Sequence, residues 1–180
     1  MPSSTRTLTL RLIGRKLRVI PLLAAVLVSC LPCRAAASES QPSTQGHPVD
    51  QAVRAWMQTV AQDVTRNGPL AWLKYFETGP EFFMAVNGQM AFRNRAAAED
   101  GTRKFAQTIR QIELKWGDDL RVDPLTTHLA AIAVSWREIQ VDTAGHRVDE
   151  KGYFTALAEY RDGRWQFRNA HWSAPVSPGP

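Results

Sequence analysis

Cysteine is nearly missing from this chain: two residues in 180, Cys30 and Cys33, both near the N-terminus. The remainder can form no disulfide and do no thiol chemistry. Long apolar runs are missing as well. The longest, Val19 to Cys33, spans 15 residues and contains Pro21 and Pro32; a membrane-spanning helix needs about 20. Metal-site spacing is also lacking. His47, His128, His146 and His171 are scattered, without a His-x-x-x-His pair, and no metal or cofactor is expected. There is no phosphate loop and no Gly-x-Ser-x-Gly.

Residues 1–37 contain no acid, yet hold Arg6, Arg11, Arg15, Lys16, Arg18 and Arg34. The formal charge of +5 belongs to that stretch. The other 16 basic residues face 17 acidic ones, a net of −1. A neutral body offers no electrostatic footprint for nucleic acid.

The basic stretch reads as an export leader. A positive segment from Arg11 to Arg18 precedes the apolar run, and Arg34-Ala35-Ala36-Ala37-Ser38 supplies small residues for cleavage after Ala37. This predicts an exported, periplasmic or secreted protein. Leu27-Val28-Ser29-Cys30 offers another reading, a lipoprotein signal in which acylated Cys30 anchors the chain to a membrane.

Residues 38–49 are rich in Ser, Gln, Pro and Gly and read as a flexible spacer. A single domain is expected over 50–175, with a short tail at 176–180. Asp50 is a candidate helix N-cap, and Val53, Trp56, Met57, Val60 and Val64 recur at helical spacing. Asn67-Gly68-Pro69 ends that helix, and a second short one follows from Leu70 to Phe76. Asn87-Gly88 marks a hairpin between short strands. Ala96 to Ile109 is helical, and the remainder is strand. The order predicts an α+β fold, with the helices covering one face of a curved antiparallel sheet. Leu129 to Val141 is apolar on both faces, so its outer face needs cover too. A homodimer through the outer sheet face would supply it.

The last hairpin, GYFTALAEYRDGRWQFRNAHWS, turns at Asp162-Gly163. A two-residue turn pairs Arg161 with Arg164 and Tyr160 with Trp165. Strict alternation then points Trp165, Phe167, Asn169, His171 and Ser173 inward and Trp172 outward. Phe154, Ala156, Ala158 and Tyr160 share the inward side. The expected pocket is apolar, lined by Trp56, Trp136, Phe154, Tyr160 and Asn169, and suits a small apolar ligand. His171 is its candidate acid or base, since imidazole titrates near neutrality.

These elements, closing on Asp162, Gly163, Trp165, His171 and Ser173, resemble the nuclear transport factor 2-like superfamily over about residues 50–175, its SnoaL-like branch above all. The resemblance implies a cone-shaped curved antiparallel sheet wrapped around about three N-terminal helices, with an internal pocket, and frequent dimers through the sheet. It implies no single activity, because such domains include isomerases, dehydratases, cyclases, epoxide hydrolases and binders. The ketosteroid isomerases among them use an Asp base with a Tyr and a protonated Asp. Here the inward face of the first helix has no Tyr. The long strand offers Glu138 but no inward Asp in its apolar middle. The expectation is a non-catalytic ligand-binding or interaction module of the cell envelope. The alternative is a small-molecule isomerase, dehydratase or cyclase using His171.

Overall fold

A computed structural model describes residues 47–175. The expected leader with Cys30 and Ala37, most of the spacer and the tail lie outside them. The elements are α1 (Pro48–Asn67), a 3-10 helix (Pro69–Lys74), β1 (Phe83–Val86), β2 (Gln89–Phe92), α2 (Arg95–Thr108), β3 (Ile109–Trp116), β4 (Arg121–Pro124), β5 (Leu129–Asp142), β6 (Arg147–Arg161) and β7 (Arg164–Ser173). Among the described residues no helix is long and apolar enough to cross a membrane.

α1 forms because Val49, Val53, Met57, Val60 and Val64 fall on one stripe, and all five are buried. Its cap is His47 rather than the expected Asp50: the His47 ring Nδ1 accepts the Val49 N–H at 3.3 Å. Pro48 at the first helical position needs no donor. Asp50 lies in the first turn, where it suits the helix dipole and pairs with Arg54 at 2.9 Å. Gly68, at φ +76°, ends the helix and donates to the Val64 carbonyl.

The strands form one sheet in the order β2-β1-β7-β6-β5-β3, with β4 also paired to β5. The sheet is mixed rather than wholly antiparallel, since β1 runs parallel to β7. β3 and β4 divide the same edge of β5 between them, taking residues 136–142 and 130–133. β4 was not expected. β6 also starts earlier than its apolar stretch suggested, so that the β5–β6 hairpin pairs from Val141–Arg147 through Leu129–Glu159. Asn87-Gly88 turns β1 into β2 with both residues at positive φ, as a tight hairpin requires.

The sheet curves over α1, the 3-10 helix and α2, which gives the expected α+β cone. Ala130, Ile132, Val134 and Trp136 of β5 face the helices, and all are buried. The 3-10 helix is tied to α2 by Arg95. That guanidinium donates to the Leu73 and Phe76 carbonyls, each at 2.9 Å, and to Glu99 at 2.8 Å. It satisfies carbonyls that a short helix leaves open at its end.

The last strand departs from strict alternation. Ala158 stands opposite Phe167, but Leu157 stands opposite Asn169, so Arg168 is an extra residue in β7. This β-bulge exchanges the two faces. Phe167 faces inward before it, and Ala170 and Trp172 face inward after it. Trp172, expected outside, packs inside against Phe154 at 4.7 Å, Trp136 at 5.0 Å and Trp72 at 5.6 Å. His171, expected inside, is exposed on the outer face between Thr155 and Ala85.

Candidate functional site

The cone encloses a cavity of about 390 Å³ between the concave sheet, the 3-10 helix and α2. Six aromatic side chains wall it: Trp72, Phe76, Phe92, Phe105, Trp136 and Trp172. Its carboxylates are Glu138 and Glu150, and Asn87, Thr102 and Gln140 add uncharged polar groups. Among the described residues no Lys, Arg or His lines it. A cavity of this size, mostly apolar with a few polar groups, has the make-up of a small-molecule site.

Period-two geometry brings the carboxylates there. Glu138 and Gln140 continue the inward row of Val134 and Trp136 along β5. Glu150 stands directly opposite Glu138 on β6. Glu138 is half-buried, and burial pushes its carboxyl above the ordinary 4.5. The Glu150 charge adds to that rise, and a hydrogen bond donated by Gln140 opposes it. Glu150 is exposed at the mouth.

The second polar feature is the Trp136 indole. Trp116 donates its Nε1–H to the Met57 carbonyl at 2.8 Å. Trp136 Nε1 is buried and meets no acceptor among the described residues, and the residue is 7% exposed. An N–H left this way costs about 1–3 kcal/mol. The indole also lies over Gly152, where a β-carbon would meet both its six-membered ring and the Ser173 carbonyl. Glycine is required there by close approach.

Of the expected pocket residues, the structure places Trp136 alone in the cavity wall. Trp56 packs on Phe167 at 4.5 Å and on Tyr75, within the core. Phe154 is fully buried against Trp116, Phe167 and Trp172. Tyr160 is 40% exposed near the hairpin turn, against Trp165 and His128. Asn169 Oδ1 accepts the Leu157 N–H at 3.3 Å, beside the bulge. His171 is separated from the cavity by the sheet itself. Sequence reasoning passed over Glu138, although its even-numbered parity with Trp136 carried the signal. Glu150 needed the β5–β6 register.

A larger, more open cleft of about 650 Å³ lies on the other side of Trp136, with Lys115, Arg137 and Lys151 on its walls. Lys115 and Arg137 are engaged by Glu113 and Asp149, each at 2.6 Å. The inner cavity has the more enclosed chemistry. Among the described residues no group of three or more His, Cys, Asp or Glu is placed to hold a metal ion.

Comparison with solved structures shows which fold this is. A nuclear transport factor 2-like superfamily protein from Salmonella enterica serovar Typhimurium LT2 superposes with a TM-score of 0.61 at 15% identity, over 73% of this chain and 94% of that one. A protein of unknown function with the same fold, from Shewanella oneidensis MR-1, gives 0.56 at 18% identity, over 71% and 99%. A hexachlorocyclohexane dehydrochlorinase, LinA type 2, gives 0.57 at 11% identity, over 71% and 86%. The chain has the nuclear transport factor 2-like fold. No family model and no curated protein matches the sequence.

Proposed function

We propose that the cone cavity holds a small, largely apolar molecule and that the protein is a ligand-binding module rather than a catalyst. The observation that carries this reading is the cavity itself, about 390 Å³ walled by six aromatic side chains, with Glu138 half-buried at its wall. A non-catalytic role is favoured because no His, Lys or Arg lines the cavity to share protons with Glu138.

One observation favours a second reading. The Glu138 carboxyl is held above its ordinary range, which brings a carboxylate closer to the working pH of a general base. Fold neighbours include an enzyme, the dehydrochlorinase, alongside a protein of unknown function. Proton transfer of the kind an isomerase, dehydratase or cyclase needs would then run through Glu138. His171 faces away from the cavity.

The binding reading is tested with N-phenyl-1-naphthylamine, an uncharged fluorescent probe, titrated into wild type, Val86→Trp and Thr102→Phe. Val86 and Thr102 line the cavity. Binding should brighten the probe and quench tryptophan emission in wild type, and fail in whichever filled variant keeps a cooperative melt. Unchanged binding in a folded, filled variant would sink the reading.

The same proposal includes export, supported by the leader pattern in residues 1–37, and a homodimer through the outer sheet face. That face carries Ala131, Ala133 and Leu157, all half-exposed, and Phe83 and Tyr153 at 41% and 42% exposure. A second copy would bury them.

A further inference from the structure

We infer that the molecule bound in the cone carries an ammonium group, held against the aromatic wall of Trp72, Trp136 and Trp172 and facing the carboxylates of Glu138 and Glu150. The inference rests on the binding reading above and names its ligand class.

The charge balance of the cavity points one way. Its two ionisable side chains are both acids, directly opposite each other on β5 and β6. The residues that wall it from the 3-10 helix, β1, β2, α2 and β7 carry no charge. Among the described residues no cation lines the cavity to neutralise the pair. Two carboxylates facing each other without a cation repel, and a bound cation removes that cost.

The aromatic geometry points the same way. The Trp136 and Trp172 rings meet at 73° with centroids 5.0 Å apart, and Trp72 meets Trp172 at 89° and 5.6 Å. These rings pack edge to face as part of one aromatic wall, and such a wall attracts an ammonium, a quaternary one above all.

Proton linkage gives the inference a distinctive readout. With the cavity empty, burial and the Glu150 charge favour the protonated Glu138 carboxyl. A cation prefers the carboxylate, so its binding expels that proton. Cation affinity must then rise with pH until Glu138 is fully ionised, while an uncharged ligand feels no such gain.

The experiment uses calorimetry on the whole protein with two matched probes: benzyltrimethylammonium and its carbon isostere, neopentylbenzene. The cation should bind at least about tenfold more tightly than the isostere at pH 8. Its affinity should fall as the pH is lowered from 8 and the Glu138 carboxyl takes up its proton. Glu138→Gln should cut cation affinity about tenfold and flatten that pH profile, and Glu150→Gln should weaken it less because that site is wetter. Thermal melts check that each variant folds. If the isostere matches the cation and neither depends on Glu138, the ammonium assignment is overturned while the cavity reading stands. If neither these probes nor the naphthylamine binds, both fall.

Discussion

Asn169 Oδ1 accepts the Leu157 backbone N–H at 3.3 Å, at the point where the β6–β7 ladder slips by one residue. A bulge leaves backbone groups out of register, and here a side-chain amide takes up one of them. The consequence reaches the cavity, because the slip is what turns Trp172 inward. Asn169→Ala should therefore cost about 1–3 kcal/mol, the usual penalty for a buried N–H without a partner. Asn169→Asp, which keeps an acceptor, should cost less. Urea denaturation measures both. Deleting Arg168 is a further test. It removes the extra residue, so plain alternation from Phe167 then leaves Trp172 inward and His171 outward, and the variant should keep a cooperative transition.

Glu77 is 2% exposed and pairs with Arg161 at 2.7 Å, whereas the Arg161 side chain is 48% exposed. The partners are unequal. Removing the arginine strands a buried carboxylate; removing the glutamate leaves a guanidinium that water can reach. Arg161→Ala should cost about 3 kcal/mol and Glu77→Gln noticeably less. Equal losses in paired denaturation curves would contradict this asymmetry.

Asp63 and Tyr75 link stability to pH at both extremes. Burial works to raise the Asp63 carboxyl, but hydrogen bonds from Lys74, Asn67 and Tyr75 outweigh it and hold the group below its ordinary 3.8. A depressed carboxyl contributes stability above its unfolded value, lost as pH falls through the folded one. Burial pushes the Tyr75 phenol up to about 12, with its hydrogen bond to Asp63 and that residue's charge adding to the rise. The folded state then holds the phenolic proton more tightly, so stability falls as pH rises from 10 towards 12. Ultraviolet titration of tyrosinate should show Tyr75 ionising late. Asp63→Asn should bring it down towards the ordinary 10.0.

Glu138 works in the opposite sense to Asp63. Its carboxyl is raised, so the folded state binds its proton more tightly and stability falls as pH climbs above 4.5. Glu138→Gln keeps an oxygen for Gln140 and removes the desolvated charge. At pH 7 that variant should melt at the same temperature as wild type or higher, a pattern typical of groups kept for function. A lower melting temperature at pH 7, equal to that at pH 5, would indicate a structural carboxylate.

The outer face supplies a test of assembly. Ala133 lies on β5 between Arg121 and Thr155, in the half-exposed apolar strip. If two copies meet there, Ala133→Arg should shift sedimentation at micromolar concentration from dimer to monomer with little change in monomer stability. A wild type that already sediments as a monomer would end the dimer proposal.

Much of the architecture was legible because local chemistry and tertiary need agree. The valine and methionine stripe of α1, Asn87-Gly88 and Asp162-Gly163 each specify one geometry, and each has it. The cavity was less legible for a specific reason. Arg168 brings no glycine or proline to announce a bulge, so nothing local marks the point where β7 exchanges its faces. Every assignment beyond it inverted, which promoted His171 and hid Trp172. Glu138 was readable from its parity with Trp136. Its partner Glu150 depended on β6 running back to Arg147, through charged residues that look like loop.

The central claim is that the working surface lies inside the cone, at Trp136 and Glu138, and not on the face that bears His171. Native mass spectrometry of protein purified from its own source, as wild type, His171→Ala and Val86→Trp, tests it most directly. The account predicts a retained small molecule on wild type and on His171→Ala, and none on folded Val86→Trp. Loss of that molecule from His171→Ala together with its retention by Val86→Trp would contradict the account.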